Sequence, residues 1–216
     1  MWPCMKLRHL EELLQQIDGF DNPKLLLEQY VTPSHLASHM LHTIQAHYGD
    51  IDSKLIADLG SGCGGLTLGT AALNAGLVIG FEIDANAIQI CQNNINDQEF
   101  SNIDIVQCDI TSNSFVSRWF KMFDTVIMNP PFGTKHNAGI DMDFLKKGFA
   151  LSNNVIYSLH KSSTRAHVLK FAKANDVKAE VLAQLRYDLP TTYKFHKKDS
   201  VDIEVDFFRF QVSKNP

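Results

Sequence analysis

A short apolar run that ends in a glycine-rich turn restricts the folds open to this chain more than any other feature. The run is Leu55-Ile56-Ala57-Asp58-Leu59, and Gly60-Ser61-Gly62-Cys63-Gly64-Gly65 follows it directly. Small residues over 66–75 then predict a helix. A strand, a glycine turn and a helix in this order let the backbone approach a ligand closely. The turn by itself is also compatible with a purely structural role or with dinucleotide binding.

Strands and helices alternate over the sequence that follows. We predict strands at 77–83, 103–107, 123–128 and 155–159 and helices at 85–96, 142–151 and 163–174. Two more strands, 178–187 and 201–210, are joined by a polar turn region. This order predicts an α/β fold with a mostly parallel sheet, helices on both faces and an antiparallel hairpin at one edge. Ligands of such sheets bind beyond the carboxyl ends of the strands.

Two helices are predicted ahead of this core. Apolar residues at helical spacing indicate one over 5–17, which Asp18-Gly19 would end. Thr32-Pro33 is typical of an N-cap followed by proline at the first helical position, and it predicts a second helix that runs to about Tyr48. We therefore divide the chain into a helical extension, 1–50, and a core, 51–212.

Charge and cysteine content narrow the functional classes. The formal net charge is −4, which argues against a protein that holds nucleic acid by bulk charge alone. The four cysteines form no Cys-x-x-Cys pair, so we expect no zinc site and no other metal. Neither a signal peptide nor an apolar run of membrane-spanning length is present, and we expect a soluble intracellular protein.

Acidic residues lie at or just after the ends of the next two predicted strands. Glu82 is suited to accept hydrogen bonds from both hydroxyls of a bound ribose, whereas Asp84 is suited to cap the following helix. Asp109 is placed either to accept from an adenine amine or to form an ordinary turn. Together with the glycine turn, these acids favour a nucleoside-containing cofactor. No Gly-Lys-Ser or Gly-Lys-Thr motif is present, which excludes a P-loop.

The most specific motif is Asn129-Pro130-Pro131-Phe132, which follows the strand at 123–128. The exocyclic amine of adenine is a poor nucleophile because its lone pair is delocalised into the ring. The Asn129 side-chain oxygen and the Pro130 carbonyl would accept its two hydrogens and draw the nitrogen toward tetrahedral geometry. Pro130 and Pro131 together stiffen the loop, and Phe132 offers a face for base stacking, worth roughly 1–3 kcal/mol. Such chemistry needs alignment and preorganised polarity more than a strong base.

The glycine turn and Asn129-Pro130-Pro131-Phe132 together resemble class I amino-methyltransferases. Further segments are similar to the methyltransferase-like protein five family: LLLEQY (25–30), FDTVIMNPPFGTK (123–135), YSLHKSS (157–163), LRYDLP (185–190) and YKFHKK (193–198). That family makes N6-methyladenosine in the small-subunit (18S) ribosomal RNA of eukaryotes. The resemblance covers nearly the whole chain and implies a Rossmann-like class I methyltransferase with a seven-stranded sheet and S-adenosylmethionine as cofactor.

The resemblance also implies how the cofactor is held. The N-terminal segment would partly close its pocket. The implied contacts are Gln29, Thr32, Gly60, Gly62, Cys63, Leu66, Glu82 and Asp109. The family often has aspartate where this chain has Glu82, but the longer side chain still accepts two hydrogen bonds.

Two partners follow from the resemblance. A small zinc-binding activator subunit would extend the sheet at the strand over 103–107, whose apolar residues need cover. Ribosomal RNA would be the substrate, and we assign its phosphates to the basic residues His160-Lys161, Lys194, Lys197 and Lys198. A solvated lysine loop is the alternative. The implied locations are the nucleus (nucleolus) and the cytoplasm, with no membrane.

Four alternatives stay open on sequence alone. A protein-glutamine N5-methyltransferase faces the same chemical problem, but such enzymes usually have tyrosine where Phe132 stands. A DNA adenine methyltransferase lacks support because no separate target-recognition domain is apparent. A catalytically silent RNA-binding module is disfavoured by the intact motif. The double proline also has a purely structural interpretation, as the end of a strand.

Overall fold

Seven strands form a single sheet in the computed structural model, which describes residues 5–112, 114–133, 137–190 and 200–212. They are β1 (Leu55–Leu59), β2 (Leu77–Glu82), β3 (Ile103–Gln107), β4 (Phe123–Met128), β5 (Ser152–Lys161), β6 (Val177–Pro190) and β7 (Ser200–Val212). Their order across the sheet is β3-β2-β1-β4-β5-β7-β6. Strands β1 to β5 pair in parallel, and β7 pairs antiparallel with β5 and β6. The α/β fold and the closing hairpin are therefore confirmed.

Helices cover both faces of this sheet. They are α1 (Leu7–Leu14), α2 (Ser34–Thr43), α3 (Gly65–Ala72), α4 (Ala85–Asp97), α5 (Phe115–Trp119), α6 (Ile140–Leu151) and α7 (Arg165–Ala174). Short 3-10 turns lie at Leu25–Leu27 and Ser162–Thr164, and a π-helical turn at Ile44–Tyr48 extends α2. We did not predict α5, because five residues give no periodic signal. Within the described ranges, no helix is long and apolar enough to cross a membrane.

The start of α2 corrects one sequence prediction. Thr32 is not the N-cap, because the helix begins at Ser34 and Pro33 occupies the cap position without a side-chain cap bond. The Thr32 hydroxyl is engaged elsewhere, where it accepts a hydrogen bond from the Asn129 side chain. The end of α1 also differs: it lies at Leu14, whose carbonyl accepts a hydrogen bond from the hydroxyl of Ser34.

Two apolar cores lie on opposite faces of the sheet, and successive residues of β1 divide between them. Ile56 belongs to the core shared with α1 and α2, and Ala57 to the core shared with α5 and α6. The helical extension packs tightly on the first face, because a Cβ built on Gly69 of α3 would lie 2.5 Å from the side chain of Leu41. The extension is thus fixed over the strand ends that carry the predicted site.

Candidate active site

A cavity of about 350 Å³ lies at the carboxyl ends of the parallel strands, where the sequence predicted a ligand site. It brings together the glycine turn after β1, the ends of β2 and β3, and the loop after β4. Its lining includes every cofactor contact implied by the resemblance: Gln29, Thr32, Gly60, Gly62, Cys63, Leu66, Glu82 and Asp109. The roles of these residues toward a cofactor stay predictions, and their placement around one cavity is an observation.

The glycine turn owes its shape to backbone angles that other residues rarely adopt. Gly60, Gly62 and Gly64 have φ of 78°, 53° and 95°. A Cβ on Gly64 would also lie 2.6 Å from both Cys91 Sγ and Leu68 Cδ1. The turn therefore needs glycine for conformation at three positions and for space at Gly64.

The Glu82 carboxylate has a structural function that we did not predict. Its Oε2 accepts a hydrogen bond from the Gly62 N–H at 2.9 Å, which fixes the glycine turn to the end of β2. Its Oε1 accepts from the N–H groups of Ile83 and Asp84, each at 2.9 Å. A carboxylate has about four lone-pair sites, so this arrangement retains capacity for a ribose hydroxyl.

Asp84 and Asp109 occupy the two expected kinds of position. Asp84 caps α4, because its Oδ1 accepts from the Asn86 N–H at 3.1 Å, and this prediction is confirmed. Asp109 lines the cavity, yet its Oδ1 also accepts from the N–H and the hydroxyl of Thr111, at 2.8 and 2.6 Å. Asp109 is therefore a turn residue as well as a cavity residue.

Asp58 also lines the cavity, and the sequence alone had suggested no role for it. It is buried at 1% exposure, and its Oδ2 accepts from the Thr67 hydroxyl at 2.6 Å. Its Oδ1 and the Ser61 hydroxyl have no hydrogen-bond partner among the described residues. Burial raises the pKa of Asp58 to about 7, against the opposing effect of the Thr67 hydrogen bond. An acid near the end of an apolar strand, two residues before a glycine turn, was the signal available in the sequence.

Residues 20–32, which we call the N-terminal segment, lie along the rim of the cavity and are held there by polar contacts. Lys24 Nζ donates to Asp84 Oδ1, and Gln29 Nε2 donates to Asp84 Oδ2 at 2.7 Å. On the opposite side, Asn137 Nδ2 donates to the Leu26 carbonyl at 2.7 Å. Gln29 thus lines the cavity with its amide already engaged, and it holds the segment closed.

Asn129 lines the cavity directly after β4, and its orientation is defined by its neighbours. Its Nδ2 donates to Thr32 Oγ1 at 2.9 Å and to Tyr187 Oη at 3.2 Å. Its Oδ1 is shielded from solvent and has no hydrogen-bond partner in the described part of the chain. Buried acceptors of this kind are rare because they cost roughly 1–3 kcal/mol, and at functional sites a ligand often satisfies them.

The rest of the motif is placed differently from the asparagine. Pro131 lines the cavity, whereas Pro130 is buried and outside the lining. Phe132 is 7% exposed and packs edge-on against Tyr187, with ring centroids 5.8 Å apart and an interplanar angle of 88°. Base stacking on Phe132 stays a prediction, because in this structure the ring belongs to the core.

The basic residues assigned to RNA have different placements. His160 is fully buried and bonded to Ser158 and Asp141, so its assignment to RNA phosphates is wrong. Lys161 is partly exposed at the carboxyl end of β5, on the cavity side of the sheet. Lys194, Lys197 and Lys198 lie outside the described residues.

The cavity fits the chemistry of S-adenosylmethionine. Asp58 Oδ1, Ser61 Oγ and Asn129 Oδ1 are buried polar atoms without a partner among the described residues, and all three residues line it. A free carboxylate oxygen suits the cationic methionine end of that cofactor. The buried thiol of Cys63 is a neutral neighbour, because burial raises its pKa to about 12.

Comparisons with known proteins agree with this geometry. The model of the methyltransferase small domain family matches residues 35–153. Over 208 residues the chain is 59% identical to rRNA N(6)-adenosine-methyltransferase METTL5 of Danio rerio, covering 95% of this chain and 99% of that protein. It is 50% identical to rRNA N(6)-adenosine-methyltransferase Mettl5 of Drosophila melanogaster, covering 96% and 97%.

A solved structure agrees as well. A crystal structure of a proposed RNA methyltransferase from Pyrococcus horikoshii matches with a TM-score of 0.84 and 33% identity, over 96% of this chain and 98% of that one. Sequence similarity over nearly the whole length, the sheet order and the placement of the strand-end residues all agree. The chain belongs to the family of rRNA N(6)-adenosine-methyltransferases.

Proposed function

We propose that this protein transfers a methyl group to N6 of an adenosine in small-subunit ribosomal RNA, and that Asn129 holds the acceptor amine. The observation that carries the role of Asn129 is its buried Oδ1, which lacks a partner among the described residues. An N6 hydrogen donated to this oxygen would satisfy it. The nitrogen lone pair would then be drawn out of conjugation with the ring, which makes the amine nucleophilic. The Pro130 carbonyl is the proposed acceptor for the second hydrogen.

S-adenosylmethionine, when bound, supplies a methyl group on an electrophilic sulfonium. We assign the methionine end of the cofactor to Asp58, Ser61 and the glycine turn. Asp58 and Ser61 each have a buried oxygen in the cavity lining that lacks a partner among the described residues. Glu82 would accept from the ribose and Asp109 from the adenine. The N-terminal segment, held by Lys24, Gln29 and Asn137, would exclude water from the cavity. Alignment in such a site replaces the need for a strong base.

The decisive experiment compares Asn129→Ala with the wild-type protein. We expect labelling of ribosomal RNA from labelled cofactor to fall at least about 100-fold, the usual cost of removing one preorganised polar group from the reacting atoms. Cofactor affinity, measured by calorimetry, should change by less than about threefold, since Asn129 does not carry the charge contacts. Asn175→Ala, on the exposed end of α7, is the control. Labelling of DNA or protein in place of RNA would refute the substrate assignment.

An activator subunit is the second part of the proposal. Strand β3 lies at the edge of the sheet, and none of its five side chains is fully buried. An apolar edge strand is prone to pair with another chain, so a partner that adds a strand there would cover it. We propose the small zinc-binding activator subunit as this partner. Co-expression should give a heterodimer on size exclusion, and separate elution of the two chains would refute the proposal.

We also propose the nucleus, including the nucleolus, and the cytoplasm as the places where the protein acts. Ribosomal RNA is assembled into ribosomes in the nucleus and is used in the cytoplasm. Imaging of a fluorescently tagged protein tests this, and exclusion of the protein from nucleoli would contradict it.

A further inference from the structure

The side chain of Asn129 belongs to a short chain of hydrogen bonds whose direction is fixed at one end. Asn129 Nδ2 donates to Tyr187 Oη at 3.2 Å, and Tyr187 Oη donates to the Val31 main-chain carbonyl at 3.0 Å. The second Nδ2 hydrogen goes to Thr32 Oγ1 at 2.9 Å. These contacts join the loop after β4, the hairpin strand β6 and the N-terminal segment.

The direction of these bonds follows from the donor and acceptor capacities of the groups. A carbonyl oxygen accepts only, so Tyr187 must donate its single hydroxyl hydrogen to Val31. Toward Asn129, Tyr187 then offers only a lone pair, and the amide must turn its NH₂ group to it. Thr32 does not impose this choice, because a hydroxyl can donate as well as accept. The Val31 carbonyl therefore determines, through Tyr187, which end of the amide remains free.

We propose that Tyr187 is a positioning residue for the methyl transfer, because it holds Asn129 with Oδ1 as the free end and does so only while Val31 is in place. The inference rests on the proposed role of Asn129. Seating of the N-terminal segment over the cavity and preparation of the acceptor-binding oxygen become a single event. When the N-terminal segment is displaced from the cavity, Tyr187 loses the Val31 carbonyl and can donate its hydroxyl hydrogen to Asn129 Oδ1 instead. The amide then turns, and Oδ1 is no longer free to bind the acceptor amine.

The surroundings of Tyr187 support this role. Its side chain is fully buried, and its ring packs edge-on against Phe132, so the same residue also supports the last position of the motif. Burial raises the pKa of its hydroxyl to about 12, and the group remains a neutral donor throughout the working pH range. Tyr187 donates to Val31 across 156 residues of sequence, a contact that local folding does not require.

The test compares substitutions that differ in what they remove from this chain of bonds. Tyr187→Phe keeps the ring and removes the hydroxyl, and we expect kcat to fall at least about tenfold while cofactor affinity stays within about twofold. Thr32→Val should lower kcat by less than about threefold, because Tyr187 still orients the amide, and Thr32→Ser should restore it. If Tyr187 only stabilised the fold, kcat would not fall further in Tyr187→Phe than in Thr32→Val.

Tyr157→Phe is the matched control. Tyr157 is another buried tyrosine, and its hydroxyl donates to Asp50 Oδ2 at 2.7 Å on a different part of the sheet. Its loss should cost a comparable amount of thermal stability but leave kcat unchanged. Equal falls in kcat for Tyr157→Phe and Tyr187→Phe would overturn the inference.

A second measurement does not depend on activity or on the folding of a variant. In the wild-type protein, the two side-chain NH₂ protons of Asn129 should exchange with solvent much more slowly than those of the exposed Asn175, as seen by NMR. Fast exchange would overturn the inference.

If Asn129→Ala stays active, the proposed function of Asn129 itself fails. If Asn129→Ala is inactive and Tyr187→Phe has wild-type kcat, only the inference about Tyr187 fails.

Discussion

Lys24 Nζ lies 2.5 Å from Asp84 Oδ1, and this ion pair joins the N-terminal segment to the cap of α4 across 60 residues of sequence. The Asp84 side chain is 5% exposed and the Lys24 side chain 46%. Burial opposes ionisation of Asp84, but hydrogen bonds from Lys24 and Gln29 outweigh it and lower its pKa. The carboxylate is therefore charged at neutral pH, and the contact is half-exposed to screening by salt.

We predict that Lys24→Ala weakens cofactor binding only modestly. A pair with this exposure contributes up to about 1 kcal/mol, so the dissociation constant should rise by no more than about fivefold. The difference from wild type should shrink in high salt, and titration calorimetry at two ionic strengths measures both effects. Lys173→Ala, on the exposed end of α7, should bind the cofactor normally. A loss much larger than fivefold would mean that Lys24 contacts the cofactor itself.

The free carboxyl of Asp58 predicts a pH dependence of cofactor binding. Its raised pKa of about 7 means that the group is largely protonated at pH 6 and charged at pH 8. A cationic ligand binds the charged form better, so cofactor affinity should increase as the pH rises through 7 and then level off. Calorimetry across this range, with Asp58→Asn as the variant, checks the expectation. The variant should bind weakly at every pH, and a persisting pH dependence would assign it to another group.

The Asp58 carboxyl should make the cofactor-free protein less stable as the pH rises, although it makes cofactor binding stronger. Folded Asp58 holds its proton up to about pH 7, whereas the unfolded chain releases it near 3.8. The folded state binds more protons between these values, so this group's contribution to stability falls as the pH rises from about 4 to 7. Asp58→Asn should remove that component of the slope in denaturant unfolding. Asp104→Asn, exposed on β3, should leave it unchanged.

Gly64→Ala should destabilise the fold far more than Gly65→Ala. The first places a Cβ 2.6 Å from Cys91 and Leu68 at a φ of 95°, whereas a Cβ on Gly65 meets no atom within 4 Å. Overpacking with backbone strain costs about 2–4 kcal/mol. Gly65→Ala, at the first position of α3, should be neutral or stabilising by up to about 1 kcal/mol. Denaturant unfolding of the two variants measures the contrast, and equal midpoints would contradict it.

The ion pair between Arg165 and Asp206 should carry part of the stability of the hairpin. Asp206 is fully buried, and Arg165 donates to its two oxygens, each at 2.6 Å. Burial raises the pKa of Asp206, but hydrogen bonds from Arg165 and Ser162 outweigh that effect and lower it. Arg165→Ala would leave a buried carboxylate without its main partner, so we expect it to lower the denaturant midpoint. Because Arg165 is 41% exposed, the loss should be smaller than for a fully buried pair.

The pH dependence of the stability that Arg165→Ala loses has a defined sign. A lowered pKa in the folded state gives stability that is present above the unfolded pKa of 3.8 and is lost as the pH falls through the folded value. The difference in the free energy of unfolding between wild type and Arg165→Ala should therefore be full above the Asp206 pKa of the variant, which burial raises once Arg165 is removed, and should narrow as the pH falls from that pKa to the lowered pKa of the wild type. Arg8→Ala, which breaks an exposed pair with Glu12, should have a smaller effect than Arg165→Ala at neutral pH. A difference that does not narrow at all between neutral pH and strong acid would implicate a different group.

Charge reversal at Lys197 and Lys198 tests the assignment of these lysines to RNA. For every lysine that binds a phosphate, its reversal should lower the slope of log affinity against log salt by about 1. RNA affinity of the double variant should therefore fall and depend less on salt. Reversal of Lys178, exposed on β6, is the control. An unchanged affinity for RNA would remove these two lysines from the substrate surface.

The sequence predicted the elements that owe their form to local patterns. β3 and β4 have the predicted ends, and Asp84 caps α4 as expected, because apolar runs and capping residues act over a few positions. The second helical run ends at Tyr48, as predicted, and Gly49 follows it in the left-handed conformation. The carboxyl-end location of the site follows from parallel topology alone.

The contacts that orient the site were not predictable in this way. Thr32 resembled an N-cap, but a hydrogen bond from Asn129, 97 residues later, takes its hydroxyl. His160 resembled part of a basic surface cluster, but its β5 position faces the core. Tyr187 gave no local signal at all, since its partners are Val31 and Asn129. Side-chain partners far apart in sequence are determined by tertiary packing.

The position of β7 has a consequence for how the protein is made. This strand follows β6 in the chain, yet it lies between β5 and β6 in the sheet. A ribosome that has synthesised β6 has therefore produced a strand with no place to pair, and Tyr187 cannot yet reach Asn129. A premature stop before Ser200 removes an interior strand of the sheet and not an edge strand. The truncated protein would have an unpaired sheet edge that quality-control proteases can attack. The reactive centre is thus completed only when a strand that is translated after β6 has been inserted.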